Sequence, residues 1–585
     1  MPRPVQLHQP FTPFEKGDVH YDVAVIGGGI AGVYTAWRLK QEDPTLNVAV
    51  FEYSDRIGGR LYSYEMPGMP HIKAELGGMR WLKSHEIVVG LIDHLNLATR
   101  EFPMGPDGGA NNLLYLRRRQ LRVRDLTDPG KVPYLLNPNE QGMNPDQMQA
   151  YVMRSLLPFY TELSDSDWWT VPVLNGTPLY QIGFWNLLYR VLSSEAYQYM
   201  SDASGYYTNV ANSTAPLSLP ISEYDPTNRY YTLEQGYQEL PLAVADRFRG
   251  LGGEIFRDHR LDSFGRRASD GKYALCFART ETEDGATRDE PGAEEVRVDA
   301  DRVVLALPRR SIELIRWDRM DEHDPADWEY PESTGEDTSV TEADQRDRRR
   351  TLRERVASVI SQAAFKMFLG YPYPWWRALG VEAGRTITDM PIRQTYYFGT
   401  ESENGGEAEN HNSLMMVSYN DLGSIPFWKA LEAGECFEGR QENPEHRGDP
   451  TVPGRTYFLR GEHPVPRHRF QISREMVQTA QEQVREVHGL KFVPDPYTAV
   501  YHDWTDDPYG AGWHAWKAGE AFWKIMPRMR RIPGEDVYVC GEAYSIGQGW
   551  VEGSLQTAEL MLKEHFGLKR PGFIPRKYYD TEMGP

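Results

Sequence analysis

The chain has 585 residues, too many for one ordinary core, so two or three domains are expected. Hydrophobic residues make up 40% and aromatics 12%, and 64 Lys+Arg against 84 Asp+Glu give a formal charge of -20. That balance argues against nucleic acid or an anionic membrane surface as partner. The three cysteines, Cys276, Cys436 and Cys540, lie too far apart for a disulfide framework or a zinc knuckle and fit a reducing compartment.

In chain order, residues 1–18 (MPRPVQLHQPFTPFEKGD) lack the apolar core of a secretory leader. YDVAVI (21–26) is a short apolar run ending in Gly27-Gly28-Gly29, the pattern of a buried parallel strand. From Ile30 to about Gln41 the residues suit a helix, and VAVFE (48–52) is a second strand, which completes a βαβ unit. Residues 111–228 read as largely helical, with Asn144-Pro145 as a helix cap followed by proline at the first helical position. Residues 236–308 return to strands and one helix, with VVLAL (303–307) as another buried strand. The acidic residues 318–344 read as a solvated loop, and the arginines of 346–355 as the start of a helix. ESENGGEAENHN (401–412) reads as a hairpin loop joining RTIT (385–388) to the LMMVSY strand. VYVC (537–540) is a late strand leading into Gly541-Glu542 and a helix over 554–565. No stretch approaches the ~18 apolar residues of a spanning helix, residues 569–585 are polar, and no histidines take a metal-ligand spacing. A cytoplasmic location, with no membrane partner and no metal, is the expectation.

Gly27-x-Gly29-x-x-Gly32 sits between strand and helix, where a tight turn, close approach to a pyrophosphate and close helix packing all need glycine. The helix N-terminus beginning at Ile30 and Ala31 offers free N–H groups to phosphate, and Glu52 ends the second strand in position to bind ribose hydroxyls. Arg56-x-Gly58-Gly59-Arg60 follows at once and offers cations and flexible backbone to an extended cofactor, which favours FAD over NAD. Gly541-Glu542 supplies a second strand-to-helix junction where a carboxylate could meet cofactor hydroxyls or simply cap a helix. No second G-x-G-x-x-G is present to hold a nicotinamide cofactor.

VAVIGGGIAG, FEYSDRIGGR, AELGGMRW, AAFKMFLG, DWTDDPYGAG and CGEAYSIGQGWVEGSLQTAE, in this order, resemble the motifs of the flavin-containing amine oxidase family over nearly the whole chain. The resemblance is closest to the L-amino acid oxidase branch and its bacterial amino acid 2-monooxygenase relatives. It implies an α/β (α+β mixed) architecture: a Rossmann-like FAD-binding domain (18–84, 236–310 and 536–568), a sheet-based substrate domain (85–110, 229–235 and 311–535) and an inserted helical domain (111–228). It further implies FAD contacts from Gly78, Met79, Arg80, Trp550, Val551 and Glu552, with Glu552 serving the cofactor or the start of the last helix. A homodimer or higher homo-oligomer is expected.

Arg80 decides the substrate class in this resemblance, since members acting on plain amines lack it. A guanidinium can hold a carboxylate through two parallel hydrogen bonds. Tyr419 matches a second carboxylate donor, Trp550 an aromatic wall, and the Gly549 carbonyl an acceptor for the substrate amine. Lys366 interrupts the apolar AAFKMFLG, where an unpaired ammonium would be costly; in relatives it holds a water against flavin N5. Trp513, His514 and Trp516 in GWHAW are candidates for the side-chain pocket or for ordinary packing; the aromatic lining favours large neutral side chains, while the abundant Glu and Asp leave a basic substrate open. The expected reaction is oxidation of an L-amino acid by O2 to a 2-oxo acid, ammonia and hydrogen peroxide. A decarboxylating, amide-forming 2-monooxygenase is the alternative, and a catalytically silent flavin-binding protein a more distant one.

Overall fold

The computed structural model describes residues 19–105, 107–211, 213–218, 224–225, 227–283, 286–325, 350–437, 439 and 472–584. Its first sheet has eight strands, and the first described strand lies in the middle of it. Val19–Ile26 lies between Val48–Phe51 and Val296–Leu305, parallel to both. Glu254–Phe256 extends the parallel set on one side and Val537–Val539 on the other. His259–Arg266, Tyr273–Glu283 and Ala286–Asp289 add an antiparallel meander. The register aligns Ile26 with Phe51 and Leu305, so three strands end at one level. The loops after Ile26, Phe51, Leu305 and Val539 therefore share one edge, where ligands bind in open α/β sheets.

Helix Ile30–Glu42 packs on this sheet because Gly32 permits it. A Cβ on Gly32 would sit 1.9 Å from the Gly27 carbonyl oxygen and 3.2 Å from Ala306 Cβ. Helices Glu239–Gly250 and Val551–His565 complete the same layer, burying Val33, Val244 and Leu555 in one cluster.

The second sheet has seven strands, in the order 498–503, 364–371, 413–421, 394–400, 384–388, 113–116, 119–122. Helix Arg474–His488 covers one face through Met476, Ala480 and Val484, and Met66, Met79 and Tyr230 pack on the other. The third part is a set of short helices in 145–218 around Met148, Leu187 and Tyr199. Its first helix, Pro145–Leu156, is closed by the expected Asn144 cap, with the Gln147 side chain accepting from the Asn144 N–H to complete a capping box.

Several sequence expectations change. Leu113–Leu116 and Arg119–Arg122 form a hairpin at the edge of the seven-stranded sheet, so the helical segment begins near Asn144 rather than at 111. The 401–412 loop joins Gln394–Thr400 to Ser413–Asp421, and RTIT lies one strand earlier in Gly384–Thr388. Helices Glu86–Leu95 and Phe522–Arg530, assigned by sequence to the substrate part, bury Leu91 and Met526 in the two cores flanking the first sheet. In the acidic stretch, Asp318–Asp321 is a 3-10 turn with Arg319 and Met320 buried, and Asp324 pairs with Arg319 and Arg355. Residues 326–349 lie outside the described residues. The helix expected after them spans Leu352–Val356, capped by Thr351. Among the described residues, no helix is long and apolar enough to cross a membrane.

Candidate active site

A cleft enclosing about 1500 Å³ of non-protein space, part of it open to solvent, runs along the shared strand edge to the second sheet. It runs from Gly27 and Glu52 at one end to Tyr419 and Trp550 at the other, so there is room for an extended ligand. At one end Gly27, Gly29, Ile30, Ala31, Glu52, Gly59 and Arg60 line it. The Gly28 N–H and the Ser54 N–H and hydroxyl all donate to Glu52, at 2.7, 2.9 and 2.7 Å, which fixes the carboxylate at the strand end. Gly59 crosses so close to Gly29 that a Cβ on it would lie 3.2 Å from the Gly29 Cα. Side chains on these glycines would fill the cradle, so the residues present fit a dinucleotide held by backbone N–H groups and the helix N-terminus.

Gly541 and Glu542 line the middle of the cleft. Arg60 donates to Glu542 at 2.6 Å, and the backbone N–H groups of His514 and Gly549 donate to its other oxygen at 2.6 and 3.2 Å. Burial alone would raise this carboxyl, but Arg60 and His514 hold it well below the usual range. Glu542 thereby ties three chain segments together beneath the cleft.

At the far end stand Gly78, Lys366, Tyr419, Trp504, Trp513, Gly549, Trp550 and Val551. Lys366 and Tyr419 are opposite each other on adjacent strands, with Nζ 4.6 Å from the Tyr419 ring centroid. Lys366 donates to the carbonyls of Glu75 (3.1 Å) and Gly77 (2.5 Å). Burial, with Arg80 nearby adding to it, pushes its amine down to about 7. Burial pushes the Glu75 carboxyl up to about 7, although the Tyr237 N–H and Ser63 hydroxyl donate to it. Burial also raises the Tyr419 phenol, so it stays a donor at neutral pH.

Other expected site residues lie elsewhere. Arg80 is 7% exposed and does not line the cleft; its guanidinium sits 4.0 Å over the Tyr230 ring and donates to the Met104 sulfur. It remains near enough to Lys366 and Tyr419 to act on the charge of both. Met79 is buried among Met66, Phe102 and Tyr230. Arg56 turns onto its own loop, donating to Gly59 and Leu61 carbonyls over the Tyr62 ring, rather than into the cleft. Glu552 accepts from the N–H groups of Ile87 and Val88 at 3.0 and 2.9 Å and from the Tyr578 hydroxyl, so it caps helix Glu86–Leu95 instead of lining the cleft. Trp516 is core, donating from Nε1 to the Ser545 carbonyl. Among the described residues, the one grouping of metal-ligand type is His20, Asp22 and Asp301, with Lys272 Nζ 3.0 Å from Asp301.

Sequence reasoning gave no role to Trp504, which donates to the Leu76 carbonyl at 2.8 Å and walls the cleft. Its signal was the DWTDDPYGAG motif. It also missed Tyr206, against Tyr419 and Trp513, for which no local signal exists.

The flavin-containing amine oxidoreductase family matches over residues 30–422. The chain belongs to that family. A flavin cofactor follows, and FAD suits the dinucleotide cradle; the fold is that of the α/β flavoproteins. Aplysianin-A of Aplysia kurodai is 28% identical over 570 residues, covering 94% of this chain and 91% of that protein. Achacin of Lissachatina fulica is 26% identical, with 93% of each covered. An L-amino-acid oxidase of Gloydius halys is 23% identical over 71% of both chains. Putrescine oxidase bound to putrescine shares the fold, at TM-score 0.61 and 14% identity, covering 94% of this flavoprotein and 100% of that chain.

Proposed function

We propose that this flavoprotein oxidises L-amino acids, converting an amino acid, O2 and water into a 2-oxo acid, ammonium and hydrogen peroxide. The observation that carries the reading is the buried Arg80 guanidinium, set over the Phe102, Tyr230 and Tyr396 rings in the cluster that Tyr419 and Trp550 pack against. A cation buried behind the apolar, aromatic end of the cleft favours a substrate with a carboxylate. The L-amino-acid oxidases among the relatives support the same class.

FAD, when bound, would supply the two-electron chemistry, taking up the hydride of the substrate Cα–H bond and returning the electrons to O2. The protein's own part is binding and orientation. Arg80 and Tyr419 fix the carboxylate, the Gly549 carbonyl accepts from the amine, and Trp550 with Trp513 confines the side chain. Lys366 can hold or release a proton at Nζ near neutrality. No strong base is required, since a fixed near-attack geometry can be worth several kcal/mol.

The test is product analysis in air with a panel of L-amino acids. Equal yields of 2-oxo acid, ammonia and peroxide support the reading. Amide and CO2 as the main products would replace it with the monooxygenase, and turnover of amines alone would refute the amino acid class.

A further inference from the structure

The helical segment reaches the substrate end of the cleft at the turn that follows helix Ser194–Ala203. Helix Ser194–Ala203 ends there, and Gly205, at φ +84°, redirects the chain so that Tyr206 faces the seven-stranded sheet. The Tyr206 ring meets two cleft-lining residues edge to face. Its centroid is 5.1 Å from that of Tyr419 at an interplanar angle of 87°, and 6.3 Å from that of Trp513 at 90°. The side chains of the two tyrosines also hydrogen-bond.

The next residues are fastened to the same strand that carries Tyr419. The Tyr207 and Thr208 N–H groups donate to the two carboxylate oxygens of Asp421, at 2.9 and 2.7 Å. Asp421 is fully buried, two residues beyond Tyr419. Arg393, also fully buried, lies 4.0 Å over the Tyr207 ring and donates to the carbonyls of Ser201 (2.7 Å) and Thr388 (3.1 Å). Burying a carboxylate and a guanidinium is costly unless each is satisfied. Here two N–H groups of the turn meet the Asp421 carboxylate, and Arg393 ties the Ser201 carbonyl, just before the turn, to the Thr388 carbonyl of the sheet, so together they fix where Tyr206 stands.

We propose that Tyr206 is a positioning residue that sets the size of the substrate group by holding the rings of Tyr419 and Trp513, and that Asp421 fixes Tyr206 in turn. The inference rests on the substrate end of the cleft as read above. Without the Tyr206 ring, Tyr419 and Trp513 lose the surface they share and can turn away from the pocket. One methylene of mismatch in an apolar pocket changes specificity by about 10–200-fold, so this loosening should be visible in a size series.

The experiment uses FAD-loaded protein and anaerobic flavin bleaching against substrate concentration. One series is L-alanine, L-leucine, L-phenylalanine and L-tryptophan; the other is the corresponding amines lacking the carboxylate. Tyr206→Ala should shift the ratio of bleaching efficiency (limiting rate over apparent Kd) of the largest to the smallest reactive substrate toward the largest by about tenfold, mainly through the apparent Kd. Tyr206→Phe should keep the wild-type ratio, and Asp421→Asn should reproduce part of the shift. Parallel size profiles for wild type and Tyr206→Ala, at equal bound flavin, overturn the inference. If Tyr206→Ala does not fold, a wild-type profile in Asp421→Asn overturns it. Which series bleaches the wild type reports separately on the proposed function, because the size ratio is read within whichever series reacts. A wild type bleached by neither overturns both.

Discussion

Gly32→Ala is the sharpest test of the cofactor cradle. Its Cβ would lie 1.9 Å from the Gly27 carbonyl oxygen, where ordinary contact begins near 3.4 Å, so helix and loop must separate by about 1.5 Å. Ala306 Cβ, 3.2 Å away on the sheet side, blocks relief in that direction. Overpacking of this kind costs about 1–3 kcal/mol of stability. The larger effect is on the cofactor, because the moving element is the start of helix Ile30–Glu42. Each charge-assisted hydrogen bond it loses to a pyrophosphate is worth about 1.5–3 kcal/mol, so affinity should fall about tenfold to a hundredfold per bond. The assay is FAD:protein stoichiometry by absorbance, with Kd from titration of stripped protein. Gly250→Ala, where a Cβ meets nothing within 4 Å, is the control and should bind FAD normally. A Gly32→Ala protein with wild-type Kd would refute the placement of the cofactor.

Arg60→Ala leaves the buried Glu542 carboxylate without its guanidinium, which typically costs about 3–5 kcal/mol; a Tm within a degree of wild type would contradict the pairing. Lys366 titrates in the folded protein near 7, against an ordinary lysine value of 10.5. From about pH 7 to 10.5 the unfolded chain binds a proton that the folded chain does not, so the lysine's contribution to stability rises with pH and is lost as pH falls toward 7. Lys366→Met should flatten that rise in Tm against pH, and an unchanged profile would remove the buried-amine account. Glu75 has the opposite sign: folded near 7 against 4.5, its contribution is present below pH 4.5 and lost as pH climbs to 7. Glu75→Gln should therefore flatten a fall in Tm between those limits.

The cofactor cradle was legible in sequence because its requirements fall on backbone. Glycines at 27, 29 and 32 and a carboxylate ending the second strand leave little freedom, and the cleft has them at one end or, for Gly32, packed beneath it. Side chains with a choice of direction were harder. Arg56 and Arg60 flank the same glycines, yet one turns onto Tyr62 and the other reaches Glu542 across 482 residues. Glu542 and Glu552 both begin late helical turns, but the register of the Val551–His565 helix sends Glu552 to the N-terminus of Glu86–Leu95. Trp513 and Trp516 are three apart on a strand, so period two puts them on opposite faces and only Trp513 reaches the cleft. The 113–122 hairpin was absorbed into a helical reading because LLYL and RQLR are too short to show a period on their own. Tyr206 is visible only once helix Ser194–Ala203 is docked on the sheet.

In the proposed reaction the buried cation at Arg80 selects a substrate carboxylate. Anaerobic bleaching of the bound flavin by L-phenylalanine and by phenethylamine, which differ only in that carboxylate, tests it in one measurement. Breaking a buried ion pair costs about 3–5 kcal/mol, so the amine should react about 10²- to 4 × 10³-fold less efficiently, and Arg80→Ala should erase the difference while retaining FAD. An amine that bleaches the wild-type flavin as well as the amino acid does would contradict the account.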